Sequence, residues 1–395
     1  MDKLYSIFEK VCSRIKLALL VLKGIVPSRL NPGDALDSLR AELAAARAET
    51  SRFAAAFADA NLNPEELTSE LKEAREEISH LNAEVAALRS ACPPEANPLL
   101  VNGPGQPAVS KAINSSLNVL IPKSVLRKAR EEEFKVVDVG AQMLDSADHV
   151  YTQLVSALSG YVVGFEPLDE ERQKRISKER NVTILPHAIG SGKPATLHVT
   201  RFNPASSLLE PNHGLLADYL ALPEMLQVTK TIPLDTRKLD DIPEARGCRF
   251  LKIDVQGGEL DVLSGAANLL RGVLVVFIEV EFVSIYKSQP LFCQIHALLE
   301  SHGFELLDLL EPGYGSYRAA NSGLLQSRLL WADGLYVRKL ETCDNLPETQ
   351  LIQLACAAHF LAKKFDYAAH VLGWCDKKYG TSFGDEYHAE LVKAI

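Results

Sequence analysis

Short apolar runs rich in valine and isoleucine recur between residues 134 and 338, with stretches of helical character between them. This alternation predicts a parallel sheet with helices on both faces, because a strand buried on both sides reads as a continuous apolar run. The expected strands are 134–139, 161–166, 182–186, 195–200, 228–233, 249–254, 273–280, 304–309 and 334–338. The fold class is therefore α/β, a doubly wound sheet, and such sheets bind ligands at the carboxyl ends of their strands.

Two of those ends are informative. Val136-Val137-Asp138-Val139-Gly140-Ala141 closes in Asp-x-Gly, where the glycine lets a ligand approach the backbone. Val162-Val163-Gly164-Phe165-Glu166-Pro167 closes in a glutamate that is costly to bury without partners, and two ribose hydroxyls would supply them. The pair indicates a nucleoside-containing cofactor. The loop Gly140-Ala141-Gln142-Met143-Leu144-Asp145 holds a single glycine rather than G-x-G-x-x-G, so nothing is built to receive a pyrophosphate. S-adenosylmethionine, which has no phosphates, fits better, with Asp138 holding its amino group directly or through water. The next run ends in Pro186-His187-Ala188-Ile189-Gly190, placed to lie over an adenine ring; Ala188 and Ile189 are the expected contacts, and His187 reads as an ordinary loop histidine.

The reacting end is expected on two further strands. Phe250-Leu251-Lys252-Ile253-Asp254-Val255-Gln256-Gly257-Gly258-Glu259 brings polar groups to the end of a central strand. Asp254 and Gln256 would face the transferred group, and Glu259 either joins them or opens the following helix, whose dipole suits an acid there. Leu274 to Glu281 ends in alternating acids, so Glu279 and Glu281 share one side and can act on an acceptor as general base. A metal is not expected, since no histidine or third carboxylate follows them at useful spacing. Ser206-Ser207-Leu208 is a candidate acceptor loop.

Together, Val137–Ala141, Gly164–Pro167, Ala188–Gly190, Ser206–Leu208, Leu251–Glu259 and Val262-Leu263-x-Gly265 resemble the FkbM-type methyltransferases over about residues 130–340. The resemblance implies a class I methyltransferase (Rossmann-like) fold, S-adenosyl-L-methionine as donor, and O-methylation of a hydroxyl, often on a sugar or natural product. It supports cofactor contacts at Asp138, Gly140 and Glu166, with Asp254 facing the reacting centre. The reading of the residues themselves adds Ala141, Pro167, Ala188, Ile189 and Asp254 to the expected cofactor contacts, Asp254, Glu279 and Glu281 as the expected catalytic groups, and Ser206, Ser207, Gln256 and Glu259 as expected acceptor contacts. The chain departs from the family at Gln142–Asp145, where a second glycine is usual.

The rest of the 395 residues calls for further domains. Residues 1–30 read as an amphipathic helix with an excess of Lys and Arg, suited to packing on another domain or subunit, or to peripheral membrane contact. Residues 31–92 carry heptads from Leu36 to Leu88, interrupted at Asn61-Leu62-Asn63-Pro64, which predict either a coiled coil joining a homo-oligomer or a helical hairpin. Residues 93–110 are a Pro/Gly linker, 111–340 the catalytic domain and 341–395 a helical C-terminal segment. A net charge of −9 argues against nucleic-acid binding. Seven scattered cysteines fit a reducing cytoplasm, and the partner expected at the site is a small-molecule or saccharide acceptor. The competing functions are a coiled-coil assembly protein carrying a degenerate methyltransferase domain, and a nicotinamide-dependent oxidoreductase, which the missing glycines disfavour.

Overall fold

The computed structural model describes residues 119–142, 149–320, 326–343 and 345–394. The chain divides into two units after Pro104, and every described residue lies in the second. The expectations for 1–30, 31–92 and 93–110, and for residues 143–145 of the first loop, fall outside the described residues.

In chain order the elements are α1 (Lys123–Ala129), β1 (Lys135–Val139), α2 (Thr152–Leu158), β2 (Tyr161–Phe165), α3 (Asp169–Lys178), β3 (Val182–Leu185), β4 (Ala188–Ile189), β5 (Pro194–Thr200), α4 (His213–Leu216), α5 (Leu222–Met225), β6 (Val228–Arg237), β7 (Cys248–Ile253), α6 (Glu259–Ser264), β8 (Val275–Glu281), α7 (Phe292–Ser301), β9 (Phe304–Gly315), β10 (Arg328–Arg338), α8 (Glu348–Ala362), α9 (Phe365–Tyr379) and α10 (Phe383–Ala394). The main sheet runs β3-β2-β1-β7-β8-β10-β9, parallel except for β10, which is antiparallel to both of its neighbours. The order reverses between β1 and β7, and a ligand crevice opens at such a switch point. This is a mixed α/β sheet of the class I, Rossmann-like kind.

Two expected strands do not join that sheet. β5 and β6 pair antiparallel, and β6 also pairs with β4, a short strand in what reads as loop sequence. The polar alternation of Pro194–Thr200 and Val228–Arg237 marks strands with one face in solvent, unlike the apolar runs of the main sheet. β9 and β10 also run beyond their apolar stretches as a long hairpin, because a ladder needs only backbone groups and continues through Glu311 and Gly313.

Strand alternation sorts the core into layers. Val136, Val162, Phe250, Val275, Phe277, Leu335 and Val337 pack with α1, α2 and α8–α10 on one face. Val137, Val139, Leu251, Ile253, Val276, Ile278 and Val280 pack with α6 and α7 on the other. The C-terminal helices are part of the first face: α8 is buried along most of its length, and Gln353 Nε2 donates to the carbonyls of Ala129 and Glu132 at 2.9 and 3.1 Å. A third cluster, including Leu216, Tyr219, Leu222, Leu226, Ile285, Tyr286 and Leu330, fastens the 200–226 insert over the strand ends.

Candidate active site

The first face changes character along the strands. Near the starts of the parallel strands it is apolar; toward their carboxyl ends the same alternation brings up Asp138, Lys252, Asp254, Glu279 and Glu281, and the antiparallel β10 sets Asp333 beside them. Register sets Asp138 beside Lys252 and Glu279 beside Asp333. Above this polar stripe lies a cavity of about 560 Å³, roofed by the 200–226 insert.

Gly140 and Glu166 frame one half. Gly140 has φ +79°, and a Cβ there would overlap the carbonyl oxygen of Asp254. The glycine is thus required by the close passage of the chain leaving β1 past that leaving β7, a stronger constraint than ligand access alone. Its N–H and that of Ala141 both donate to Phe165 O, at 3.2 and 3.0 Å, tying the ends of β1 and β2. Glu166 lines the cavity while only 5% exposed. Its Oε1 accepts from the Leu168 N–H at 2.8 Å, and among the described residues no protein group bonds to Oε2. Burial, outweighing that bond, raises the carboxyl to about 7. Gln142, Pro167, Ala188 and Ile189 line the same half, and His187 beside them is engaged by Arg237 at 3.0 Å.

Two expected cofactor contacts lie elsewhere. Asp138 is fully buried and does not line the cavity: Oδ2 accepts from Arg175 Nη1 at 2.7 Å and from the Tyr151 hydroxyl at 2.6 Å. Burial alone would raise this carboxyl, but Lys252 at 3.6 Å and Arg175 hold it below the usual range. Ala141 is also sealed off, with its carbonyl accepting from Arg175 at 2.9 Å. Arg175 comes from α3, a helix of mostly charged residues whose sequence does not reveal which one turns inward.

The other half is acidic. Asp254, with a 40% exposed side chain, pairs with Lys252 at 3.3 Å and accepts from Gln256 Nε2 at 2.9 Å. The same Nε2 donates to Glu279 at 2.6 Å, and Gln256 Oε1 accepts from the Tyr286 hydroxyl at 3.2 Å. Gln256 sits at φ +60°, a conformation uncommon for a residue with a side chain, which these bonds hold in place. Burial raises Glu279 and Glu281 well above the ordinary carboxylate range, and neighbouring carboxylates add to it. Asp333 is raised to about 7 by burial and by Asp254. Asp333, Trp331 and Tyr286 all line the cavity and were not anticipated. The acid interrupting the apolar run of β10 was the available signal for Asp333.

The remaining acceptor candidates separate. Ser206 and Ser207 line the cavity, but Ser207 Oγ donates to Gln256 O at 2.6 Å and accepts from the Leu209 N–H at 2.9 Å, so it clamps the insert to the β7–α6 turn. Glu259 is 1% exposed and does not line the cavity: Oε1 accepts from the Val255 and Gly257 N–H groups at 3.0 and 3.1 Å, bracing the turn that opens α6.

No curated protein matches the chain. Among solved structures, the magnesium protoporphyrin IX methyltransferase of Synechocystis PCC 6803, crystallised with bound SAM, is 11% identical, with a TM-score of 0.26 over 60% of this chain and 87% of that one. The precorrin-6y C5,15-methyltransferase of Geobacter metallireducens GS-15 is 13% identical, with a TM-score of 0.24 over 57% of this chain and 96% of that one. Likeness this slight says nothing about acceptor or cofactor. Residues 138–306 match the model of the methyltransferase FkbM domain. The match begins at Asp138 and runs through α7 into β9, taking in the strand ends that frame the cavity, and this stretch of the chain belongs to the FkbM family: the protein is a methyltransferase.

Proposed function

We propose that the protein transfers a methyl group from S-adenosyl-L-methionine to a hydroxyl of a saccharide, a glycolipid precursor or a similar metabolite. Glu166 carries the cofactor assignment: a buried carboxylate at the end of β2, with one oxygen held by backbone and the other without a protein donor among the described residues, suits a pair of ribose hydroxyls. Gly140, Pro167, Ala188 and Ile189 fit the rest of an adenosyl group. The single glycine of Gly140–Asp145, in place of G-x-G-x-x-G, favours this donor over a nicotinamide dinucleotide.

The acceptor half supports a polyhydroxylated acceptor. Asp254 and Glu279 offer hydrogen-bond acceptors to hydroxyls, while Tyr286, Trp331, Phe202 and Met225 offer apolar surface to the carbon faces of a ring. When bound, the donor supplies a sulfonium methyl group. The acceptor oxygen would take up that methyl group from the sulfonium sulfur and give its own proton to a carboxylate. Asp254, exposed to the cavity and positioned by Lys252 and Gln256, takes that role, with Glu279 and Glu281 orienting the acceptor. Much of the rate comes from in-line positioning, so the base makes a smaller contribution.

Calorimetry tests the cofactor. Wild type binds S-adenosylmethionine, and Glu166→Ala weakens it by about tenfold or more, as expected for a lost pair of hydrogen bonds to a charged group. Equal affinity in the variant, or binding of NAD instead, sinks the assignment.

A further inference from the structure

Tertiary folding supplies the third carboxylate that sequence spacing did not show. Glu259, at the start of α6, meets Glu279 and Glu281 at the end of β8, and one oxygen from each lies within 4.8 Å of the other two. We propose that these three glutamates bind one hard divalent cation at the edge of the acceptor half.

Glu281 carries the argument. Its side chain is 2% exposed, and Oε2 makes no hydrogen bond of good geometry; the Gln289 amide beside it is a neutral donor that leaves the charge uncompensated. A buried carboxylate without a counter-charge is costly, and here its nearest charged company is of the same sign. Among the described residues no lysine, arginine or histidine forms an ion pair with any of the three; Lys252, on the same face, is occupied by Asp138 and Asp254. A shared proton bridges two carboxylates and leaves the third as it was. A divalent cation satisfies all three together.

The donor set fits. All-oxygen, carboxylate-rich sites select Mg²⁺, Mn²⁺ or Ca²⁺ over softer metals. At metal–oxygen distances of about 2.1–2.5 Å, ligand oxygens on one ion stand at most about 4–5 Å apart, so the three need draw together only slightly. Two are already oriented by other groups: backbone N–H groups hold Glu259, and Gln256 holds Glu279. Glu279 and Glu281 line the cavity, which leaves ligand positions open to water or to an acceptor hydroxyl. If the acceptor is a hydroxyl, as proposed above, the cation would orient it and lower its pKa.

The site is tested without donor or acceptor. Full-length protein stripped with chelator is titrated with Mn²⁺, and free Mn²⁺ is followed by electron paramagnetic resonance. One site per chain is expected, displaced by Mg²⁺ or Ca²⁺, and Glu281→Gln should weaken it by at least about tenfold. That variant removes a buried unpartnered charge at constant shape, so its metal-free melting temperature should equal or exceed wild type, which separates lost binding from lost folding. No Mn²⁺ bound at about 1 mM, weak even for a carboxylate site, or unchanged binding by Glu281→Gln, overturns the proposal. S-adenosylmethionine affinity measured on the same stripped samples reports on the cofactor reading separately.

Discussion

Removing the guanidinium of Arg175 tests whether Asp138 is a structural anchor or a ligand contact. The side chain is fully buried, and Arg175→Met replaces it at similar length without charge. Asp138 would keep the Tyr151 hydroxyl at 2.6 Å and Lys252 at 3.6 Å, but would lose its closest cation, at 2.7 Å. Breaking a buried pair costs about 3–5 kcal/mol, and the retained partners place this case near 3. For a unit of this size that lowers the melting temperature by about 5 °C. Asp138→Asn should cost a similar amount, and the double variant should lose about 2 kcal/mol less than the sum of the singles, since each single change strands the other's charge. Urea denaturation at pH 7.5 reads all three. The folded state holds the Asp138 carboxyl below its ordinary value, so this stabilisation is fully present above about pH 4 and fades as the pH falls further. The gap between wild type and Asp138→Asn should therefore narrow in acid. Additive single variants, or a cost below about 1 kcal/mol for Arg175→Met, would refute the buried-anchor assignment. So would an Asp138→Asn protein of wild-type stability with cofactor affinity weakened by about tenfold, which would return Asp138 to the ligand.

Two other outcomes are expected. Gly140→Ala should destabilise the fold by about 3 kcal/mol, from the left-handed backbone and the overlap with Asp254 O, and scanning calorimetry showing a change under 1 kcal/mol would contradict that geometry. Because burial holds free Glu166 at about 7 and ribose donors favour its ionised form, cofactor binding should release protons near neutrality and weaken by about tenfold from pH 8 to pH 6; a flat profile would argue against Glu166 as the ribose partner.

Much of the sheet was legible because a strand buried on both faces must be apolar throughout. β1, β2, β3, β7 and β8 fall within two residues of the expected positions, and the ends that matter, Gly140, Glu166 and Asp254, were visible as polar or glycine breaks in those runs. What failed involved partners distant in sequence. Asp138 and Glu166 look alike on paper, each an acid at a strand end; only the inward turn of Arg175 from α3 buries the first and leaves the second at the cavity. Ser207 resembles a ligand-facing serine until the insert folds back and its hydroxyl meets Gln256 O.

The amino-acid sequence by itself determined the fold class, the strand ends and the single-glycine form of the first loop, because these follow from local periodicity and from glycine's backbone freedom. Only the tertiary structure decided which acids are anchors and which face the cavity. It alone brought Glu259 to Glu279 and Glu281, since the fate of a buried charge depends on what packs against it from elsewhere in the chain.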